Sequence, residues 1–123
     1  MQCAVRASGA VLATQVEVAN TFISRLMGLM FRPSLAAGQG LLLAPCAQIH
    51  TCFMRFSIDA VFCTQAGHVL YVKENMRPWR WGRYVRGSYY TLELRAGSVK
   101  GRVRPGDELI FADHFNQVSA GEH

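Results

Sequence analysis

Hydrophobic residues alternate with polar ones near the N-terminus and form short runs rich in β-branched and aromatic residues farther on, and both patterns are typical of β-strands. Near the N-terminus the alternation continues on both sides of Ser8-Gly9 and predicts a short hairpin. Farther on, apolar segments separated by turn residues predict six more strands, at 41–44, 48–54, 58–64, 68–73, 84–94 and 108–112. The connections between them are too short for helical crossovers, and residues 65–67 predict a tight turn. The pattern therefore favours a mainly β, antiparallel sandwich or barrel.

One segment departs from this alternation and shows helical spacing. Apolar residues recur three and four positions apart between residues 22 and 30, and either Asn20 or Thr21 can cap a helix before them. Arg32-Pro33 ends the pattern. The sequence thus predicts a helix over about residues 21–31, whose apolar stripe covers one face or end of the β core. Residues 96–101 predict a further short helical turn, and residues 114–123 predict a frayed tail.

Length and composition indicate a single soluble domain over residues 1–123. Half of the residues are hydrophobic and 17% are charged, which excludes bulk disorder. No apolar run approaches the roughly 20 residues that a membrane-spanning helix needs. The N-terminal residues lack the pattern of a secretory signal, so the expected location is cytoplasmic. Cys3, Cys46, Cys52 and Cys63 are then expected as free thiols, with two disulfides as the alternative for an exported chain.

The net charge of +5 is unevenly distributed, because eight of the thirteen basic residues lie from residue 77 onward. Within 77–90 arginines alternate with aromatic residues, and the basic-aromatic patch comprises Arg77, Trp79, Arg80, Trp81 and Arg83. Guanidinium groups and stacking rings are used to bind single-stranded nucleic acid, so a nucleic-acid-binding domain is one hypothesis. The other interpretation is that the indoles cover the edge of the core while the arginines stay solvated.

The densest group of reactive side chains lies between Cys46 and Asp59. A thiol beside the imidazole of His50 would support thiolate chemistry, which makes a small hydrolase or transferase a second hypothesis. Cys46, His50, Cys52 and Cys63 are also metal-ligand types, but their spacing is not that of structural zinc sites. The sequence therefore predicts no metal and no cofactor.

Strand alternation divides this group. In a straight strand His50 and Thr51 point to opposite faces, and pairing with 58–64 would place Asp59 far along the strand from His50. This geometry argues against a direct catalytic pair and favours a pocket rim or a structural tie. Glu74 and Asn75 follow the next predicted strand, where they would rim a pocket, form a salt bridge or close a turn.

Several motifs together resemble the family catalogued as domain of unknown function 192. They are Arg25-Leu-Met-Gly28-Leu29-Met30-Phe-Arg32, Gly40-Leu-Leu-Leu-Ala-Pro45-Cys46, Ile49-His50-Thr51, Met54-Arg-Phe, Ile58-Asp59-Ala-Val-Phe62, Glu74-Asn75, Pro78-Trp79, Leu92-Glu93-Leu and Ala96-Gly97. The resemblance covers about residues 20–109 and implies a small, mostly β domain of sandwich or barrel type. Ser57 and Arg95 stand where the family usually has proline.

The family's biochemical activity is not established, so the resemblance implies a shared motif rather than a reaction. The motif comprises Cys46, His50, Thr51, Met54 and Asp59, with Glu74 and Asn75 nearby. The leading hypothesis is a module that binds a small molecule, a peptide or another partner in a cleft bordered by these residues. A purely structural role for the same side chains is the alternative to binding.

Overall fold

The structure is a computed structural model and describes residues 1–113. Within that range it contains eight strands and one helix. Their bounds are β1 Gln2–Val5, β2 Val11–Ala13, β3 Gln15–Ala19, α1 Phe22–Met27, β4 Gln39–Leu43, β5 Ile58–Cys63, β6 Val69–Met76, β7 Tyr90–Arg95 and β8 Leu109–Ala112. The predicted frayed tail at 114–123 lies outside the described residues.

The strands form two sheets that share one core. The smaller sheet has the order β2-β1-β8, and the larger has the order β3-β4-β7-β5-β6. Cys3 and Leu12 of the smaller sheet belong to the same buried cluster as Val61 and Leu92 of the larger one. The mainly β prediction is confirmed, and so is the N-terminal hairpin, because β1 and β2 pair antiparallel.

One pair of neighbouring strands departs from the predicted antiparallel arrangement. β3 and β4 run parallel, with Gln15 opposite Gln39 and Ala19 opposite Leu43. Parallel neighbours need a long crossover, and residues 20–38, which include α1, supply it. The helix therefore lies beside this edge of the larger sheet as a consequence of the connection.

The turn between β5 and β6 joins the two sheets. Gly67 has φ +95°, and a Cβ at this position would lie 2.6 Å from the carbonyl oxygen of Leu109. The Leu109 N–H in turn donates to the Gly67 carbonyl oxygen at 2.8 Å. Only glycine combines this backbone conformation with such a close approach. The predicted tight turn at 65–67 is confirmed.

The helix is shorter and more exposed than predicted. Thr21 caps it, since its side chain accepts a hydrogen bond from the Ser24 N–H while Ser24 Oγ accepts one from the Thr21 N–H. Gly28, at φ +47°, ends it after Met27 instead of at residue 31. No residue of α1 is buried, so its apolar side chains do not cover the core as predicted. Leu29, just after the helix, is the residue that enters the core.

The predicted strand at 48–54 is wrong. This segment is part of a loop over residues 44–57, in which His50 forms a single bridge with Trp81. Phe53 has φ +64°, a conformation that a strand does not contain. The place beside β5 that the prediction gave to 48–54 is taken by β7 on one side and β6 on the other.

Two other predicted boundaries also change. The strand predicted at 84–94 begins only at Tyr90, because residues 84–89 are the last part of a second loop, which covers residues 77–89. Residues 96–101 form turns instead of a helical turn, closed by a hydrogen bond from the Ser98 N–H to the Arg95 carbonyl oxygen. Gly97 and Gly101 have positive φ, which interrupts helical geometry.

The two faces of the larger sheet are covered differently. One face packs on the smaller sheet, whereas the other, which includes Phe62, packs against Ile49 and Met54 of the 44–57 loop and Val85 of the second loop. Both cavities described below lie on this loop-covered side. Among residues 1–113 no helix is long and apolar enough to cross a membrane.

Candidate functional site

Thr51 holds the 44–57 loop in place. Its Oγ1 donates to the Arg77 carbonyl oxygen at 2.5 Å and accepts from the Arg80 N–H at 2.9 Å. Its backbone N–H donates to the Arg80 carbonyl oxygen at 2.8 Å, and its carbonyl oxygen accepts from the Trp79 N–H at 2.9 Å. Thr51 is fully buried and lines neither cavity described below. It therefore ties two loops together and does not rim a cleft.

Replacing Thr51 with valine should lower the free energy of unfolding by about 2 kcal/mol, because the part-buried hydrogen bonds to the Arg77 carbonyl oxygen and from the Arg80 N–H are both lost. The corresponding fall in melting temperature is about 5–10 °C. Thr51→Ser keeps the hydroxyl and should lose less than half as much. Differential scanning calorimetry of both variants measures the melting temperatures. Equal stability of Thr51→Val and the wild type would contradict the role of Thr51 in joining the two loops.

Asp59 is also buried and also links distant segments of backbone, but not the segments that Thr51 links. Oδ1 accepts from the Asn75 N–H at 2.8 Å, and Oδ2 accepts from the Gly97 N–H at 2.9 Å and the Val99 N–H at 3.1 Å. The side chain joins β5 to the end of β6 and to the turns after β7. The cleft predicted to contain both His50 and Asp59 is therefore not formed, since Asp59 is fully buried among these backbone groups.

His50 lies on the other side of the loop. Its Nδ1 accepts a hydrogen bond from the Cys52 N–H at 3.1 Å, and its ring lies 5.2 Å from that of Trp81. It faces a cavity of about 280 Å³ between α1 and the 44–57 loop. We call this cavity the α1 cleft. It is lined by Phe22, Arg25, Leu26, Met27, Gly28, Met30, Leu43, Pro45, Cys46, Ala47, Gln48, Ile49, His50, Met54 and Glu93.

Three of the predicted site residues, Cys46, His50 and Met54, meet in the α1 cleft. The cleft also contains Glu93 of β7, which the sequence interpretation did not single out. Glu93 is 1% exposed, and its Oε1 has no hydrogen-bond partner among residues 1–113. A buried polar atom without a partner is rare and unfavourable. The signal that could have found it is the position of Glu93 inside the motif Leu92-Glu93-Leu94.

Burial raises the pKa of the Glu93 carboxyl to about 8, although the positive charge of Arg32 opposes the shift. At neutral pH the group is therefore mainly a carboxylic acid. It can donate one hydrogen bond and accept others, whereas an ionised carboxylate can only accept. Arg32 itself forms an ion pair with Glu17 at 3.0 Å.

Cys46 does not have the environment of a nucleophile. Its Sγ donates to the Gln48 carbonyl oxygen at 3.4 Å, and burial raises the pKa of the thiol despite the hydrogen bonds it makes. In the part of the chain that the structure describes, no hydrogen bond joins Cys46 to His50. An activated thiol needs a lowered pKa and a base within hydrogen-bond reach. The arrangement does not supply the thiolate of the enzyme hypothesis.

We expect iodoacetamide to label Cys46 slowly at neutral pH, with a midpoint of the rate above that of an ordinary thiol, because burial favours the protonated form. Peptide mapping by mass spectrometry over a pH series measures the rate at each cysteine separately. A midpoint for Cys46 well below the ordinary value would restore the enzyme hypothesis.

The cysteines do not form a metal site with His50. Cys63 belongs to the buried cluster between the two sheets, whereas Cys46 packs against the cluster on the other face of the larger sheet. Across residues 1–113 no group of three or more histidine, cysteine, aspartate or glutamate side chains is arranged to hold a metal ion. All four cysteines are free thiols.

A second cavity, of about 460 Å³, lies beside β6. We call it the basic groove. It is lined by Ile49, Phe62, Tyr71, Lys73, Asn75, Met76, Arg77, Arg80, Trp81, Gly82 and Arg83. Four members of the basic-aromatic patch therefore line one cavity together with Asn75. Trp79 and Glu74 line neither cavity, and Trp79 packs on Phe53 with 4.6 Å between ring centres.

Two solved structures resemble this fold. A protein of unknown function from Novosphingobium aromaticivorans DSM 12444 superposes with a TM-score of 0.80 at 21% identity, over 90% of this chain and 84% of that one. A protein from Sinorhizobium meliloti 1021 named as a putative transcription regulator superposes with a TM-score of 0.73 at 30% identity, over 89% of both chains. The first likeness concerns the fold alone.

The sequence comparisons give the family. A UPF0127 protein of Thermococcus sibiricus (strain DSM 12597 / MM 739) is 32% identical over 98 residues. The match covers 76% of this chain and 63% of that protein, which is less than two thirds of its length. The family described as domain of unknown function 192, an uncharacterized ACR, matches residues 3–111. The chain therefore belongs to this family, whose biochemical function is not established.

Proposed function

We propose that the protein is a binding module whose α1 cleft receives an apolar group with a neutral polar head, such as a carboxamide. The head would form hydrogen bonds with the Glu93 carboxyl. The observation that carries the proposal is the unpartnered Oε1 of a side chain that is almost completely buried at a cavity. A ligand that supplies a hydrogen-bond donor there would remove the unfavourable free energy of the unpaired atom.

The walls of the cleft support an apolar body for this ligand. Phe22, Leu26 and Met27 of α1 face it, and all three are exposed, Phe22 to 70%. Met54 forms part of the opposite side. Covering exposed apolar surface contributes roughly 25 cal/mol per Å². The cleft thus combines mainly apolar walls with a few polar side chains, of which Glu93 is the one with an unpartnered buried atom, and this is the usual composition of a small-molecule site.

The charges around Glu93 disfavour a cationic head, and the unpartnered Oε1 disfavours a carboxylate, which has no proton to donate to it. Arg25 lines the cleft and Arg32 acts on the Glu93 carboxyl, so a cationic head would be repelled by two guanidinium groups. Cys46 and His50 are the other titratable side chains of the cleft. A carboxamide presents a donor and an acceptor side by side, which matches a protonated carboxyl group that donates through O–H and accepts at Oε1.

The carboxamide group would belong either to a small molecule or to a side chain of a partner protein. A volume of about 280 Å³ is near the lower end of the roughly 300–1,000 Å³ of ordinary ligand pockets. One side chain or a small molecule would fill it. The exposed apolar residues of α1 would pack against the remainder of either carrier.

Hexanamide is the probe, because it has an apolar chain and a carboxamide head. We expect it to shift backbone amide signals of α1 and residues 45–50 in two-dimensional NMR, with a dissociation constant on the order of 1 mM for so few atoms. Glu93→Met should abolish the shifts, whereas Glu93→Gln keeps a donor and an acceptor and should bind within about threefold of the wild type.

The same titration can reject the proposal. Hexylamine and hexanoate match hexanamide in length, and both should bind more weakly. Absence of saturable shifts with hexanamide, stronger binding of hexylamine, or unchanged binding by Glu93→Met would each contradict the role given to Glu93. Phe22→Ala serves as a test of the apolar wall and should weaken binding without changing the preference for the neutral head.

A further inference from the structure

The basic groove collects positive charge without compensation. Lys73, Arg77, Arg80 and Arg83 line it, and no aspartate or glutamate does so among the described residues. The ion pairs found within residues 1–113 join Arg6 to Glu108 and Arg32 to Glu17, so none involves these four cations. Four like charges around one concavity repel one another and attract an anion.

Aromatic rings lie in the same cavity. The Arg83 guanidinium lies 4.4 Å from the centre of the Tyr71 ring. This cation–π contact holds Arg83, one of the four cations, against the wall of the groove. Trp81 is 73% exposed although it lines the groove, and its ring packs beside His50. An exposed indole that is held beside cations provides a surface on which a planar group can stack.

We infer that the basic groove binds a nucleoside polyphosphate, with the phosphates among the four cations and the base on Trp81. The roughly three to four negative charges of such a ligand balance Lys73, Arg77, Arg80 and Arg83. Asn75 adds an amide donor and acceptor to the same cavity. This site is separate from the α1 cleft, with which it shares only Ile49 among their lining residues.

The size of the groove favours a single nucleotide over a nucleic-acid strand. Its volume of about 460 Å³ is within the range of pockets that enclose one small ligand. Binding of a strand would need a longer series of stacking rings beside a cationic track. Trp79, the other indole of the patch, lies outside the groove and packs against Phe53 instead.

Isothermal titration calorimetry with ADP tests the inference. We expect saturable binding with a dissociation constant of tens of micromolar at about 50 mM salt, and about tenfold weaker binding at about 200 mM. Lys73→Gln and Arg77→Gln should each weaken ADP about five- to tenfold. Lys100→Gln is the matched control, because this exposed lysine lies outside the groove. The affinity of this variant for ADP should equal that of the wild type.

Inorganic pyrophosphate and a thymidine oligonucleotide complete the test. Trp81→Ala should weaken ADP about fivefold but leave pyrophosphate unchanged, because only ADP has a ring to stack. No saturable binding of ADP, or equal losses in Lys100→Gln and Lys73→Gln, would overturn the inference. Tighter binding of the oligonucleotide than of ADP would overturn it in favour of nucleic acid. Hexanamide tests the α1 cleft and ADP tests the basic groove, so failure of one proposal is distinguishable from failure of the other.

Discussion

Replacement of Asp59 with alanine is expected to lower the melting temperature by more than about 10 °C. The side chain accepts hydrogen bonds from the backbone N–H groups of Asn75, Gly97 and Val99. Alanine would remove all three bonds. The bond from Val99 is buried and the other two are part-buried, and each lost bond to a charged group reduces the free energy of unfolding by about 1–3 kcal/mol. A total loss of about 3–5 kcal/mol places this substitution among the most destabilising kinds.

Chemical denaturation followed by circular dichroism measures the loss, and Glu74→Ala is the matched control. Glu74 is an exposed carboxylate in β6, beside the Asn75 backbone that Asp59 holds, and its removal should change stability by less than about 0.5 kcal/mol. If Asp59→Ala were as stable as Glu74→Ala, the structural role of Asp59 would be wrong. The predicted binding role for this residue would then be open again.

Glu93→Gln is expected to remove a decline in stability between about pH 4.5 and 8. The pKa of Glu93 is about 8 in the folded protein and has an ordinary value of 4.5. Below pH 4.5 the carboxyl is protonated in both states and contributes no pH dependence. As the pH rises to 8, the unfolded chain releases the proton and the folded chain retains it, so stability falls by up to about 1.4 kcal/mol per pH unit.

The measurement is the difference in free energy of unfolding between Glu93→Gln and the wild type across that range. The difference isolates residue 93, because every other titrating group is common to both proteins. We expect the variant to gain stability relative to the wild type as the pH rises, and the gain to level off above pH 8. A difference that is constant with pH would show that Glu93 ionises in the folded protein as it does in the unfolded chain.

Short runs of β-branched and aromatic residues between turn residues predicted β5, β6 and β8 close to their observed positions. Such side chains suit a pleated surface that packs on a core, and every residue of β5 is buried. The segment 48–54 has the same composition but forms a loop, since Thr51 bonds to the backbone of the second loop. Such tertiary hydrogen bonds override strand propensity, and local composition does not reveal them.

The candidate site could be predicted only in part. Cys46, His50 and Met54 share a loop and meet in one cavity, so their proximity in sequence was informative. Glu93 reads as the solvent-facing neighbour of Leu92 and Leu94 in a half-exposed strand. It is buried because loops distant in sequence cover that face of the sheet. The exposed side of α1 was missed for a related reason, since helical spacing shows an apolar stripe but not what it contacts.

The most direct test of the account is the titration of the Glu93 carboxyl by carbon-13 NMR, with and without saturating hexanamide. We predict a midpoint near 8 for the free protein. Hexanamide should raise this midpoint further, because a ligand that prefers the protonated carboxyl opposes loss of its proton. A midpoint at the ordinary value for glutamate, or one that hexanamide leaves unchanged, would contradict the claim that Glu93 is the polar anchor of a binding cleft.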